Sequence, residues 1–148
     1  MKKNHIIRGL IFIITLTTLF IVFQRSKHVD EDMKLRNQII ETIIQSDSID
    51  FAKITNFEWD TMYLFTPYSN PNDTLKADGI KSYNSNFSIE ILDTINMIAF
   101  VKSKKLISFV ELPRQYCDSK RHIKLDKNEV KFNISQKDKT LIFGLQTQ

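Results

Sequence analysis

The chain has 148 residues, of which 42% are hydrophobic and 26% charged, and its formal net charge is +4. Residues 1–28 hold five Lys/Arg and no acid, so residues 29–148 carry 16 cations against 17 acids, which removes the basis for a nucleic-acid-binding domain. Cys117 is the single cysteine, so no internal disulfide can form and the remaining 120 or so residues, enough for one domain, must be held by packing.

The first element is the apolar run Ile6–Phe23, behind Met1-Lys2-Lys3 and ahead of Gln24-Arg25-Ser26-Lys27. At about 1.5 Å rise per residue it spans roughly 27 Å, close to the hydrocarbon thickness of a bilayer. Arg8 lies near one end, where a guanidinium can snorkel to the headgroups. Thr15, Thr17 and Thr18 can return their hydroxyls to helix carbonyls. A cleaved signal peptide is the alternative, since Lys2, Lys3 and Arg8 form a basic n-region. Its exit, Phe-Ile-Val-Phe-Gln-Arg-Ser, lacks a small-residue cleavage pattern, and no cysteine follows for a lipid anchor. A third reading packs this helix inside a cytosolic protein. The expectation is an uncleaved anchor over 1–28 and an extracytoplasmic domain over 29–148. Lys2, Lys3 and Arg8 precede the span and Arg25, Lys27, Lys34 and Arg36 follow it, so orientation rests on the shortness of the preceding tail.

Asp30–Gln45 has helical periodicity, with Met33, Arg36, Ile39/Ile40 and Ile43/Ile44 on one stripe and three acids at its start. Phe57–Tyr68, FEWDTMYLFTPY, reads as an interior strand ended by Pro67. At period two, Phe57, Trp59, Tyr63 and Phe65 share one face, and Glu58 and Asp60 the other. A short helix follows, capped by Asn72 or Asp73 and ending at Gly79. Lys81–Phe87 reads as a loop and Ser88–Leu92 as a strand. Ile95–Lys102 and Lys105–Leu112 form a hairpin stopped by Pro113, and Glu129–Ile134 with Thr140–Leu145 a second one. The sum is an α+β fold: an N-terminal transmembrane helix, then mostly antiparallel strands with one or two helices.

Charge is uneven within the domain. Residues 29–101 sum to −7 and 102–148 to +6. Two mutually attracting solvated surfaces account for this, and a basic face toward anionic lipid is the sharper alternative.

Three glycines build no phosphate loop or dinucleotide fingerprint, so no cofactor is expected. Cys117 and His122 lie five residues apart without an orienting partner, and one of each falls short of a metal site. No catalytic residue is assigned. Glu58 and Asp60, beside an aromatic wall, are the acids from which a hydrolase or transferase could be built, with Arg114 as a possible partner. The plainer reading makes Asp60 an acceptor of backbone N–H groups and Glu58 a solvated side chain. Trp59, Asp60, Tyr63, Tyr68 and Arg114 are the binding candidates. Tyr68, just past the strand-ending proline, is best placed to face a groove.

The segment Phe57-x-Trp59-Asp60-x-x-Tyr63-x-Phe65-x-Pro67-Tyr68 resembles a motif of small, uncharacterised bacterial membrane-anchored or lipoprotein-like proteins. Gly79, Phe100-Val101-Lys102-x-x-Lys105 and Val110-Glu111-Leu112-Pro113-Arg114 match further phrases of that pattern in order. The likeness covers roughly residues 30–145 and departs from the pattern in having no lipobox cysteine. It implies an anchored envelope domain and transfers no catalytic role. The expected function is a binding or accessory domain, with an immunity-type factor among its forms, whose partner is a protein or envelope component, together with the membrane held through Ile6–Phe23.

Overall fold

The computed structural model describes residues 2–25, 28–82 and 86–142; on the first helix, side chains are described for 7–22. Helix α1 covers Lys2–Arg25. Its threonines fold back as the sequence suggests: Thr15 donates to the Ile11 carbonyl at 2.8 Å and Thr18 to that of Ile14 at 2.8 Å. Thr17 reaches the carbonyls of Ile13 and Ile14. Among the described residues no helix is long and apolar enough to cross a membrane. Ile6 and Phe23, the ends of the apolar run, lie outside the described side chains.

Helix α2 covers Met33–Gln45 and starts three residues later than expected. The Asp32 carboxylate accepts the Leu35 N–H at 2.9 Å and fixes the start. Leu35, Ile39 and Ile43 are buried, whereas Met33 and Ile44 are about half exposed. The buried stripe is thus rotated from the predicted one, along an i, i+4 row that faces the sheet. Strand β1 (Ser48–Asp50) and the single-turn helix α3 (Phe51–Ile54) follow. Both are too short to leave a periodic signal.

The central sheet has the order β4-β3-β2-β5 and is antiparallel throughout. Its strands are β2 (Thr61–Phe65), β3 (Ile95–Lys102), β4 (Lys105–Pro113) and β5 (Ile123–Asp126). A second sheet, β1-β6-β7, adds β6 (Lys131–Ile134) and β7 (Leu141–Ile142). The α+β, mostly antiparallel architecture is as expected, and so are both hairpins. The end of the second predicted hairpin, 143–145, lies outside the described residues.

The first hairpin turns through Ser103 and Lys104, both with positive φ (47° and 59°), the geometry of a type I′ turn that follows strand twist. Phe100 pairs with Ser108 and Val101 with Leu106, so Ile107 is a bulge residue. The bulge shifts which side chains face which way and lets both sides of β4 contribute to packing.

Both faces of the central sheet are covered. Met62, Leu64, Ile98, Phe100, Val110 and Leu112 pack under α2, α3 and the second sheet, with Phe51 and Phe132 among their partners. Tyr63, Phe65, Met97, Ala99, Val101 and Phe109 face the other way, toward Leu75, Ile80, Phe87 and Ile89. Burial on both sides explains why β2 is apolar on both faces after Thr61 and why β3 is apolar but for Asn96 and Lys102. Leu75 belongs to helix α4 (Pro71–Ala77), which is capped by Asn70 accepting the Asp73 N–H at 3.1 Å. The cap is therefore Asn70 and not Asn72 or Asp73, because Pro71 takes the first helical position. Gly79, at φ 72°, closes the helix as expected.

Ser88–Leu92 is not a strand. Ser88–Glu90 is a single 3₁₀ turn in which the Ser88 carbonyl accepts the N–H groups of Ile91 and Leu92 at 3.1 and 3.0 Å. With its backbone satisfied locally, only Ile89 enters the core, and Ile91 is left 77% exposed.

Candidate binding surface

The motif residues do not converge on one site. Trp59 precedes β2, so the period-two rule does not reach it. It turns into the α2-side core, 2% exposed, with its ring 5.3 Å from that of Phe100. Its indole N–H donates to the Thr55 hydroxyl at 2.8 Å, and the Lys127 ammonium lies 5.5 Å from the ring centroid. Tyr63 lies on the opposite face of the sheet. The shared Trp59–Tyr63 face expected from alternation is therefore absent, because the chain bends between Phe57 and Asp60 before the strand begins.

Asp60 is engaged with the backbone. Its N–H donates to the Val101 carbonyl at 2.8 Å, and its Oδ2 accepts the Ser103 N–H at 2.7 Å. It thereby pins the left-handed hairpin turn to the start of β2. Glu58 is 78% exposed and sits 3.9 Å from the Lys102 ammonium. Asp60→Ala is expected to lower the melting temperature by freeing that turn. Asp60→Asn, which keeps an acceptor oxygen, is expected to lower it less. Equal melting curves for the wild type and both variants would refute the pinning role.

Tyr63, Asp78 and Lys124 form a polar latch between β2, the end of α4 and β5. The Tyr63 hydroxyl donates to Asp78 Oδ2 at 2.6 Å, and the Lys124 ammonium donates to the same oxygen at 2.7 Å. The Lys124 hydrogen bond, then that of Tyr63, holds the Asp78 carboxyl below its ordinary value. The Asp78 bond raises Lys124 above its ordinary value. Burial, then the bond to Asp78, raises Tyr63. These groups are spent on one another, and neither Tyr63 nor Lys124 is a deprotonated base at neutral pH.

The latch gives a pH signature. A depressed Asp78 contributes stability that is present above the ordinary value of 3.8 and lost as pH falls through its folded pKa. Raised Tyr63 and Lys124 contribute stability that is present below 10.0 and 10.5 and lost as pH rises through their folded pKa values. Asp78→Asn is expected to flatten part of the acid limb of the melting-temperature curve. An unchanged acid limb in that variant would remove Asp78 from the account.

Arg114 does not meet Glu58 or Asp60. Its guanidinium forks onto Asp118 through Nε and Nη2 at 2.9 and 3.2 Å, and its Nη1 donates to the Asp93 carbonyl at 3.3 Å. The ion pair raises the arginine pKa, through hydrogen bonding first. Ile95 pairs with Pro113 at one end of the β3–β4 hairpin and Lys102 with Lys105 at the other. At about 3.3 Å per residue the two ends are roughly 23 Å apart, too far for Arg114 and Asp60 to serve one reacting group.

Cys117 is fully buried, and desolvation pushes its thiol pKa up, away from nucleophilic use. His122 lies apart from it, with Nδ1 accepting the Thr66 N–H at 3.3 Å. Among the described residues no group of three or more His, Cys, Asp or Glu side chains could hold a metal ion.

Tyr68 and Arg114 each bond the backbone of the 88–94 segment, Tyr68 near its start and Arg114 at its end. Tyr68 is 66% exposed with φ 60°, a left-handed conformation unusual for a bulky aromatic. Its N–H donates to the Ile89 carbonyl at 2.9 Å, while the Arg114 N–H donates to that of Thr94 at 2.9 Å. Ile91 and Leu92, both exposed, lie between these anchors. The next residues along the chain, Asp93 and Thr94, line an open depression of about 560 Å³ together with Pro113, Arg114, Gln115 and Asp118. Sequence reasoning missed Ile91 and Leu92. Their signal was visible as two apolar residues ahead of Asp93, but a strand assignment absorbed them. The chain matches no protein-family model, no curated protein and no solved structure.

Proposed function

We propose that the protein is a single-pass, membrane-anchored binding or accessory domain of the bacterial cell envelope, with Ile6–Phe23 as anchor and 29–148 on the outer side. The observation that carries this reading is the exposure of α1. Leu10, Ile11, Phe12 and Ile13, in successive steps of about 100° around the helix, are 57–68% exposed. Its described side chains, 7–22, are apolar on every side of the helix, and all of them are exposed. Such a helix requires an apolar medium, and a bilayer is the medium that surrounds a helix completely. This exposure also counts against the reading in which the helix packs inside a cytosolic protein. The motif resemblance to membrane-anchored proteins points the same way.

Binding is the favoured activity because Ile91 and Tyr68, the most exposed large hydrophobic side chains outside α1 among the described residues, lie on the 88–94 segment and on the residue that bonds its backbone. Glu58, Asp60 and Arg114, the residues of the hydrolase or transferase reading, are instead tied to separate partners. The expected partner is a protein or another envelope component, and crosslinking from intact membranes is the way to capture it.

Fractionation tests the anchor. The intact chain, with its N-terminus retained by mass, is expected in the carbonate-resistant membrane pellet. A C-terminal reporter is expected to be active only when it works outside the cytoplasm. Release by carbonate would overturn the anchor, recovery of a shortened chain would favour cleavage, and a cytoplasmic-only reporter signal would reverse the orientation.

A further inference from the structure

We infer that the Tyr68–Ile91–Leu92 surface rests on the bilayer interface beside the anchor, so that the domain is held to the membrane at a second point. This inference rests on the anchored reading proposed above.

The chain itself limits where the domain can sit. At about 3.5 Å per residue, the connection from Arg25, the last residue of α1, to Val29 reaches no more than about 14 Å. Val29 already packs against the core cluster that contains Phe87, Ile89 and Phe109. Two residues on, Glu31 bridges to Phe109 in parallel, and the Asp32 N–H donates to the Phe109 carbonyl at 2.9 Å. The outer edge of β4 is therefore fastened within a short reach of the C-terminal end of α1.

From that edge a relay of three hydrogen bonds leads to the exposed surface. The Glu111 N–H donates to Glu31 Oε1 at 3.0 Å, and the Ile89 N–H donates to Glu111 Oε1 at 3.2 Å. The Tyr68 N–H then donates to the Ile89 carbonyl at 2.9 Å. Glu111 is 6% exposed, so the middle of this relay is a buried charge-assisted contact rather than a surface encounter. The segment that carries Ile91 and Leu92 is thus tied to the residues that follow the anchor.

The chemistry of the surface suits an interface. Outside α1, Ile91 (77%) and Tyr68 (66%) are the most exposed large hydrophobic side chains among the described residues. A tyrosine with an apolar body and a polar hydroxyl is characteristic of the headgroup level, and an aliphatic pair beside it can enter the acyl boundary. A bilayer already adjacent through the tether is the occupant that needs no further partner. The domain is joined covalently to the anchor helix, so even a shallow second contact is populated through effective concentration.

The test uses the full chain reconstituted in vesicles of phosphatidylcholine and phosphatidylglycerol. An environment-sensitive fluorophore is attached at Ile91→Cys, and at Ile44→Cys on the exposed side of α2 as a control. The native Cys117 is fully buried and leaves the label site-specific. The expected result is a blue-shifted, brighter emission at position 91 that shallow nitroxide lipids quench, with a water-like spectrum at position 44. The Tyr68→Ser change made in the Ile91→Cys background is expected to reduce that quenching while the melting curve stays cooperative. A water-like label at 91 in chains that remain carbonate-resistant would overturn the second contact and leave the anchor standing. Chains released by carbonate would overturn both. A label shielded in native membranes and water-like in lipid vesicles would assign the surface to a protein partner and reject lipid.

Discussion

Replacing Phe100 by alanine is expected to destabilise the domain by about 3–5 kcal/mol, the range for deleting a buried aromatic ring. Phe100 is fully buried at the centre of an aromatic cluster. Its ring lies 5.3 Å from that of Trp59, 5.5 Å from Phe57 and 6.3 Å from Phe51, in tilted or edge-on geometry. These contacts join α3, the segment before β2 and the central sheet, so the vacated volume cannot close by moving one side chain. Domains of this size are stable by about 5–15 kcal/mol, so the change removes about a fifth of the total or more. Urea unfolding followed by Trp59 fluorescence reads the loss as a lower midpoint at constant slope. A loss below about 1.5 kcal/mol would contradict the packing described around Phe100. Ile91→Ala in the same assay is expected to leave the midpoint nearly unchanged, since its side chain is mostly in solvent.

The contrast between Phe100 and Ile91 also marks what a single sequence can convey. The β3–β4 hairpin was legible almost to the residue, because two alternating, largely apolar runs flank the polar turn Lys102-Ser103-Lys104-Lys105 and Pro113 stops the second. Strand β2 was legible as interior for the same reason. The direction of Trp59 was not, since alternation was carried back through a segment that is bent and held by Asp60. β1, α3 and β5 are three to four residues long. At that length a pattern cannot be separated from chance, and in β5 the charged sequence around Ile123 and Leu125 conceals it further. Tyr68 was legible as an exposed candidate because Pro67 ends the strand before it. Its companions were not, because they are joined through contacts between residues far apart in sequence. Glu31 and Glu111 are 80 positions apart, and Ile89 and Glu111 are 22 apart. Local propensity carries no trace of such pairs. The relation of Arg114 to Asp118 was closer at hand, at four positions, and was hidden only by attention to more distant acids.

The second large effect concerns the anchor. Ten apolar residues lie between Leu10 and Val22. At about −0.3 to −0.6 kcal/mol each on the insertion scale they favour the bilayer by roughly 3–6 kcal/mol. Arginine at the centre of a span opposes insertion by about 2.5–3.5 kcal/mol. One central arginine therefore leaves insertion near balance, whereas Ile13→Arg combined with Leu16→Arg reverses its sign. The single variant is expected to divide between the carbonate pellet and supernatant, and the double variant to leave the pellet. Thr15→Leu, which lengthens the apolar run, is expected to stay wholly membrane-bound. The cooperative unfolding of residues 29–148 should survive in the double variant, because the α1 side chains at 13 and 16 are about 60% exposed and give the domain little packing. That separation decides the matter. Loss of membrane retention with the domain still folded identifies α1 as an anchor. Loss of both together would mean that α1 belongs to the core of a protein that never needed the bilayer.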